Sequence, residues 1–478
     1  MKLIFDVSDK PKAGQLVVFA LQQMLAILAA TIAVPLIIGN GLTPAAAMFG
    51  AGVGTIVYIL FTKRKSPVFL GSSFAFLGSM AAAFAGGVSM QLGMLGLIIG
   101  ALLAGLVYVV IAIVVKFVGV GWLNKLMPAV VIGPTVAIIG LSLAGNAIGD
   151  LLKADVTKQV TEYVVSTDSG TPEIIETVSN VPVGSSYVAL ICGLITLAVV
   201  MLCSTYGKKT LRLIPFIIGI LAGYAAAAIF TVIGNICDID ALKIVDLSVF
   251  SSYMLTDGSI SLKTFVSLPD FAFVSGLEGL KEFDFSYFAT IFVAYVPVAL
   301  VVFAEHVADH KNLSSIIDHD LLEEPGLTRT LLGDGVGSIA GALFGGCPNT
   351  TYGESVACVA ITGNASVITI FAAAIGCMLF SFITPLVAFV DSIPACVMGG
   401  VCIALYGFIA VSGLKMIQDV NLDDNRNLFV VSVILIAGIG GLTLTFGDIT
   451  LTEVAAALIL GILTNVMLSK KKVNADKK

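Results

Sequence analysis

Long apolar stretches separated by short polar breaks run along almost the whole chain, from Gly14 to Leu468. About twenty apolar residues, folded as a helix, cross the roughly 30 Å hydrocarbon core of a bilayer. The pattern predicts fourteen membrane spans. In chain order they cover residues 14–39, 44–61, 68–86, 91–115, 126–148, 186–204, 211–234, 287–308, 331–346, 350–365, 366–388, 392–413, 427–446 and 450–468. Two of these stretches, 331–346 and 350–365, are too short to cross fully.

The composition excludes a soluble protein, and the net charge gives no indication of a nucleic-acid partner, so none is expected. The chain is 58% hydrophobic and only 12% charged, with a mean hydropathy of +1.04. Its net charge of −6 comes largely from two acidic loops, 149–185 and 235–285, so it reflects loop chemistry. In the first loop, residues 159–165 and 173–178 flank the turn-forming residues 168–172, which predicts a small β-hairpin.

The basic residues predict the orientation of the chain. An even number of spans places both termini on one side, and Lys and Arg concentrate on the cytoplasmic side. With cytoplasmic termini, 20 of the 25 basic residues fall inside. The five outside are Lys153, Lys158, Lys243, Lys263 and Lys281.

Three short sequence matches predict an inverted repeat. Leu16–Ala20 recurs as Leu300–Ala304, Pro67 with Gly71 and Ser73 recurs as Pro348 with Gly353 and Ser355, and Pro128–Gly133 recurs as Pro394–Gly399. Because each half contains an odd number of spans, seven, the second half enters the membrane from the opposite side. The predicted fold is therefore an all-α polytopic membrane protein with a 7+7 inverted repeat.

Spans 3 and 10 both combine Pro, Gly and β-favouring residues with a short helix, in the runs 66–74 and 345–354. Inside a bilayer, broken helices are tolerated only where they are buried in protein or line a cavity. We expect a short strand in each span, paired antiparallel, leading into a half-helix whose N–H groups face the membrane midplane. Phe74 and Gly353 are the expected donors. Alternatively, Gly and Pro here only permit close helix packing.

Two carboxyl groups lie deep inside predicted spans, Glu305 in span 8 and Glu354 in span 10. An ionised acid near the bilayer centre costs about 2.5–3.5 kcal/mol, so such residues usually have a function. The alternative is a structural salt bridge, but the same and the repeat-related spans lack Lys and Arg. Two carboxylates with backbone N–H groups suit a small planar ligand that has N–H donors and carbonyl acceptors, such as a nucleobase.

At these residues the sequence resembles the nucleobase/ascorbate transporter family, also called nucleobase:cation symporter 2, and within it the bacterial uracil permeases. The resemblance rests on GSSFAF at Gly71–Phe76, AEHV at Ala304–Val307, PNTTYGE at Pro348–Glu354, and Pro394 with Val397–Val401. The family signature falls on residues 354–363, and Glu in its first position resembles the uracil branch.

The resemblance implies a domain organisation, a location and an assembly. A core domain comprises residues 1–125 and 287–390, beside a gate domain of residues 126–235 and 391–470, with an external loop at 236–286 and a cytoplasmic tail at 471–478. Movement of the gate against the core alternates access to the site. The protein is expected in the bacterial plasma membrane as a homodimer.

The resemblance also implies site residues. The substrate-binding set is Glu305, Glu354, Phe74, Gly353, Tyr352 and Ser73. Uracil permeases can carry a His four residues after the first Glu, but Asp309 stands there, and Gln23 replaces a His in span 1. These departures leave the proton path open. We expect proton coupling with Glu305 as carrier, because removal from water favours the neutral carboxyl, and with Asp309 and His306 taking part. A packing role is the alternative for His306.

The resulting prediction is a secondary transporter that imports uracil by proton symport, with no cofactor or metal. The alternatives are a permease for xanthine or another oxopurine and, in a different class, an anion exchanger or channel of the same fold. An enzyme is disfavoured because no catalytic Ser/His/Asp set, metal cluster or phosphate loop appears at membrane depth.

Overall fold

The computed structural model describes residues 3–119, 128–166, 173–208, 211–212, 214–254, 259–418, 420–446 and 449–469. Ten predicted spans contain one helix each. In the first half, spans 1, 2, 4, 6 and 7 contain Ala13–Ile38, Pro44–Phe61, Met90–Val118, Ser186–Tyr206 and Pro215–Cys237. In the second half, spans 8, 9, 12, 13 and 14 contain Phe285–Ile317, Leu327–Gly345, Ala395–Met416, Asn425–Ile439 and Glu453–Ser469. Span 5 divides into Ala129–Ser142 and Ala144–Leu151, and span 11 into Val367–Phe380 and Thr384–Asp391. The predicted tail, 471–478, and the turn, 168–172, lie outside the described residues.

The strands form three antiparallel pairs among the described residues. They are β1 Leu70–Ser72, β2 Thr157–Ser166, β3 Glu173–Pro182, β4 Asn349–Thr351, β5 Leu444–Phe446 and β6 Ile449–Leu451. The pairing of β2 with β3 confirms the strands of the predicted hairpin, whose external location stays a prediction. The pairing of β1 with β4 confirms the strands expected in the broken spans. The pair β5–β6, between spans 13 and 14, was not predicted.

Spans 3 and 10 are broken as predicted. After β1, span 3 continues as a 3-10 turn, Phe74–Phe76, and a helix of seven residues, Leu77–Ala83. After β4, span 10 continues as a ten-residue helix, Gly353–Thr362. Eight described helical segments, those of spans 1, 2, 4, 5, 6, 7, 8 and 12, are long and apolar enough to cross a bilayer, when the two helices of span 5 are taken together as Ala129–Leu151.

Two predicted boundaries are wrong in the second half. Span 9 is not short: its helix has 19 residues because it includes the polar first turn before Leu331. The helix of span 8 has 33 residues and ends at Ile317 rather than at residue 308. The polar run Asp309–Lys311 interrupts the apolar pattern, but the helix continues because His310, Leu313 and Ile317 are buried.

The chain divides into two compact units. The first comprises Met1–Ala144, Ile260–Asp391 and Leu405–Lys478, and the second comprises Gly145–Ser259 and Ser392–Ala404. In the first unit, spans 2 and 9 approach closely at glycines: a Cβ on Gly50 would overlap the carbonyl oxygen of Gly341. In the second unit, Asp155 Oδ2 accepts a hydrogen bond from the Ala395 N–H, and burial raises the pKa of this carboxyl group. These units differ from the predicted core and gate ranges, which stay a prediction.

Candidate functional site

The two broken spans meet at their strands. Leu70 pairs with Thr351, Gly71 with Thr350 and Ser72 with Asn349. The ladder continues on both sides, from Ser73 N–H to Pro348 O at 2.9 Å and from Tyr352 N–H to Phe69 O at 3.2 Å. Extended backbone survives in a membrane protein only when its polar groups are satisfied, and here each strand satisfies the other. The helices that follow β1 and β4 therefore begin at one junction.

The span 10 half-helix presents its first turn at this junction. Gly353 is exposed, and Glu354 is half-buried in the first turn of the helix. A carboxylate there is stabilised by the positive end of the helix dipole. A Cβ on Gly353 would lie 4.0 Å from Asp309 Oδ1, so the start of the half-helix lies beside span 8.

Span 8 contributes two carboxyl groups on one face. Glu305 and Asp309 are four residues apart, which places them one above the other along the helix. Asp309 Oδ2 accepts a 2.8 Å hydrogen bond from Thr351 Oγ1 of β4. Glu305 interacts electrostatically with both Asp309 and Glu354. All three residues are half-buried, so each keeps part of its surface accessible.

The other predicted substrate residues surround the strand junction. Tyr352 is buried, and its hydroxyl donates a 2.8 Å hydrogen bond to Ser72 O across the strands. The Phe74 ring lies edge-on to Tyr406 of span 12, with ring centroids 5.9 Å apart. Ser73 is only 1% exposed, and its Oγ has no hydrogen-bond partner among the described residues. Tyr352, Ser73 and Phe74 thus lie in or directly after the paired strands, and their contact with substrate stays a prediction.

His306 lies on a different face of span 8, in a buried polar network. Its Nδ1 forms a 2.7 Å hydrogen bond with Asp334 Oδ2 of span 9, and its Nε2 lies 3.0 Å from Thr330 Oγ1. One turn later, His310 Nδ1 donates to His306 O at 2.7 Å, and its Nε2 accepts from Tyr58 OH at 2.6 Å. These contacts join span 8 to spans 9 and 2, behind the Glu305 and Asp309 face.

Sequence reasoning missed Asp334 and the polar support of the span 10 half-helix. Asp334 is a carboxyl group inside a predicted span, the same signal that singled out Glu305. Ser355 Oγ accepts hydrogen bonds from Phe69 N–H, at 3.0 Å, and from Gln23 Nε2. Gln23, which the resemblance marked only as a departure, therefore supports the half-helix. Among the described residues no cluster of three or more His, Cys, Asp or Glu could hold a metal ion.

Solved structures with the same fold define the class of protein. The transmembrane domain of the cyanobacterial bicarbonate transporter BicA matches with a TM-score of 0.58 and 13% identity, covering 96% of this chain and 100% of that domain. SLC26A9 matches with a TM-score of 0.60 and 12% identity, covering 97% of this chain and 67% of that one. The fold is that of a multi-pass membrane protein with a 7+7 inverted repeat.

Sequence comparison then identifies the family. Residues 14–179 and 169–446 match the model of a permease family, and the chain belongs to this family. It is 36% identical to the uracil permease of Bacillus caldolyticus, covering 99% of this chain and 97% of the relative. It is 34% identical to the uracil permeases of Bacillus subtilis strain 168, with 98% and 96% covered, and Escherichia coli K12, with 95% and 92% covered. These relatives are named as permeases, that is, as transporters and not as enzymes.

Proposed function

We propose that this protein imports uracil by proton symport as a secondary active transporter. The observation that carries the proposal is the convergence of Glu305, Asp309 and Glu354 on the junction of two broken spans. The naming of its similar relatives as uracil permeases supports the same substrate.

The junction suits the hydrogen-bonding edge of a pyrimidine. A carboxylate accepts from ring N–H groups, and the backbone N–H groups of Phe74 and Gly353, at the starts of the two half-helices, donate to ring carbonyls. Tyr352 forms a wall of the pocket, and the Ser73 hydroxyl adds a polar atom beside Phe74. Uracil has N–H donors and carbonyl acceptors on one small planar ring, so the carboxylates and the backbone N–H groups of the protein both find partners.

The same carboxyl groups argue against an anion as the substrate. The solved structures that share the fold are described as bicarbonate and anion transporters. In this chain three acidic side chains share the pocket, and ionised carboxylates repel an anion by several kcal/mol at low dielectric. The similarity to these structures therefore concerns the architecture and not the substrate. The chemistry of the site favours a neutral ligand that donates hydrogen bonds.

Glu305 is the proposed proton carrier. With Asp309 one turn away and Glu354 nearby, a neutral Glu305 can donate to a uracil carbonyl, and an ionised Glu305 can accept from a ring N–H. Asp309 takes part in the coupling, and His306 modulates it from the neighbouring face of span 8. If one net charge enters per cycle, a potential of 100 mV supplies about 2.3 kcal/mol, or roughly fifty-fold accumulation.

The transport cycle moves the core, residues 1–125 and 287–390, against the gate, residues 126–235 and 391–470. The proposed protein is a homodimer in the bacterial plasma membrane with both termini cytoplasmic. The bacterial sources of the relatives and the distribution of Lys and Arg support this placement.

Uptake of labelled uracil into proteoliposomes, measured as a function of internal and external pH, tests the proposal. Wild-type protein should accumulate uracil when an inward proton gradient drives uptake. Glu305→Gln and Glu354→Gln should each reduce uptake by at least about 100-fold, since each removes a carboxyl group that hydrogen-bonds the substrate. Glu323→Gln, at an exposed loop position, is the matched control and should transport normally.

Competition separates the possible substrates in the same assay. Excess unlabelled uracil should abolish uptake, whereas thymine and xanthine should compete more weakly. Stronger inhibition by xanthine than by uracil would reassign the substrate to an oxopurine. Normal uptake by both glutamine variants would refute the proposed site.

A further inference from the structure

The N-terminal residues lie against the far end of the span 10 half-helix. We call residues 3–9 the N-terminal strap. Ile4 N–H and Phe5 N–H both donate to Gly363 O, at 2.7 and 3.3 Å. In return, Ala365 N–H donates to Phe5 O at 2.9 Å and Val367 N–H to Val7 O at 3.2 Å. The strap therefore runs alongside the segment that directly follows the half-helix.

A side-chain hydrogen bond and an aromatic contact hold the strap at two further points. Ser366 Oγ donates a 2.6 Å hydrogen bond to Asp9 O, where the strap turns toward span 1. The Phe5 ring meets Phe19 of span 1 edge-on, with ring centroids 5.9 Å apart. The strap is thus attached along its length and not only at one end.

Apolar packing connects the strap to several elements of the candidate site. Leu3 and Val7 pack against one buried cluster. Its members come from span 2, the approach to β1, the end of span 8, the span 10 half-helix and the segment after it: Tyr58, Val68, Leu70, Leu313, Ile317, Leu321, Val356, Val359 and Ala365. The strap closes this cluster at the end of the half-helix opposite to Glu354.

The half-helix needs such an anchor. It has only ten residues and ends at Gly363, whose φ of 67° is left-handed. A helix this short has little stability of its own, so its position depends on what fixes its two ends. It behaves as a rod of about 15 Å, and a shift at Gly363 therefore moves Gly353 and Glu354 at the other end.

We propose that the N-terminal strap is a positioning element of the substrate site. By fixing one end of the span 10 half-helix, it fixes the position of the Gly353 amide and the Glu354 carboxyl group at the other end. The inference rests on the proposed function for the identity of the substrate, but the anchoring itself does not depend on it. Leu3 and Val7 touch no substrate; they act through the half-helix. Loosening the strap should therefore weaken uracil binding while leaving the protein folded and able to transport at saturating substrate.

The test compares Leu3→Ala/Val7→Ala with Ile4→Ala, whose side chain is 63% exposed and makes a matched control within the strap. In hydrogen–deuterium exchange of the purified protein, the double variant should speed exchange of amides 353–362 about tenfold, with spans 6 and 7 unchanged. In proteoliposomes, the uracil KM should rise about fivefold to tenfold with the maximal rate within about twofold. Val7→Ile, which keeps the apolar contact, and Ile4→Ala should match the wild type.

The outcomes separate the two proposals. Unchanged exchange at 353–362 in the double variant would overturn the strap as an anchor, whatever the protein transports. Faster exchange with an unchanged KM would overturn its positioning role. If the wild type does not transport uracil, the proposed function fails, and the exchange result still decides the anchoring. If the double variant unfolds throughout, Ser366→Ala, which removes one hydrogen bond, must reproduce the local exchange effect or the proposal is wrong.

Discussion

The two broken spans share a backbone design but differ in their chemistry. Span 3 has no ionisable side chain from Ser66 to Gly87. Uncharged contacts hold its half-helix: Phe76 stacks on Tyr295, and Ser79 Oγ donates a hydrogen bond to Ala294 O. Span 10 instead carries Glu354 and Ser355, and hydrogen bonds from two other spans support it.

The difference extends to the two halves of the repeat. Residues 13–118, which make up spans 1–4, contain no Asp or Glu. The corresponding spans of the second half contain Glu305, Asp309, Asp334 and Glu354. Both halves therefore supply a strand and a helix N-terminus, and only the second supplies carboxyl groups. An inverted repeat can thus duplicate a pair of broken spans while acidic side chains are present in only one of its halves.

The largest effect of a substitution on stability and uptake is expected at the junction of β1 and β4, where spans 3 and 10 meet. A Cβ on Gly71 of β1 would overlap the ring of Tyr352, which is 4% exposed and tied to Ser72 O, so the ring has no space to move. Gly71→Ala should cost about 2–3 kcal/mol and abolish uracil uptake. In the neighbouring half-helix, a Cβ on Gly78 meets only Glu453 Oε1 at 3.8 Å. Gly78→Ala should therefore be neutral or stabilise by up to about 1 kcal/mol.

Melting temperatures of the two alanine variants, measured in the same detergent, check this prediction. Equal melting temperatures would mean that the junction of the breaks tolerates a side chain, and that the two strands are not packed against Tyr352.

An intermediate effect is expected from the serines of the two breaks. Ser355→Ala removes the acceptor for Phe69 N–H and Gln23 Nε2 and leaves two buried donors, which costs about 1–3 kcal/mol. Ser73→Ala removes a hydroxyl that has no partner among the described residues, and its stability cost should stay within about 0.5 kcal/mol. A rise in the uracil KM of Ser73→Ala would place that hydroxyl in contact with substrate.

Thermal unfolding and uptake kinetics of both serine variants provide the measurement. The prediction fails if Ser73→Ala is the more destabilising of the two, since the Ser73 hydroxyl would then make a stabilising contact in span 3.

The smallest effect is expected outside the membrane, where an ion pair joins the loops that precede spans 3 and 9. Lys65 Nζ donates to Glu324 Oε1, and this hydrogen bond lowers the pKa of the Glu324 carboxyl group. Because the folded state favours the ionised form, the contribution is present above the ordinary glutamate pKa of about 4.3 and is lost as the pH falls through the lowered pKa. Both side chains are about half exposed, so solvent screens the pair.

Glu324→Gln should accordingly lower the melting temperature slightly at neutral pH and low salt, and not at all at acidic pH or in 1 M salt, where the Debye length is about 3 Å. A difference that persists in high salt would show that Glu324 contributes through packing and not through charge.

The breaks and their chemistry were predictable because local residues produce them. Pro67 and Pro348 restrict the backbone, nearby glycines favour extended and turn conformations, and a carboxyl group at membrane depth is rare enough to mark a site. The strand β5 was not predicted because Leu444, Thr445 and Phe446 are apolar or β-branched, and such a short run fits the end of a helix equally well.

The network behind the site was not predictable, because its partners are distant in sequence. Asp334 is 28 residues from His306, and Tyr58 is 252 residues from His310. Neither spacing follows from helix periodicity. Asp334 could have been singled out by its membrane depth alone, but its pairing with His306 depends on how spans 8 and 9 pack.

The pairing of β1 with β4 also constrains how the chain is made. Ribosomes synthesise Leu70–Ser72 about 280 residues before Asn349–Thr351. Thr55 of span 2 can already bind the N–H and C=O groups of Leu70, but the backbone groups that pair with β4 have no partner until β4 is made. Each unsatisfied group costs several kcal/mol in hydrocarbon. During biosynthesis span 3 must therefore wait in water, in the translocon or against other protein, and the first seven spans form an insertion intermediate that is completed only when the second half arrives.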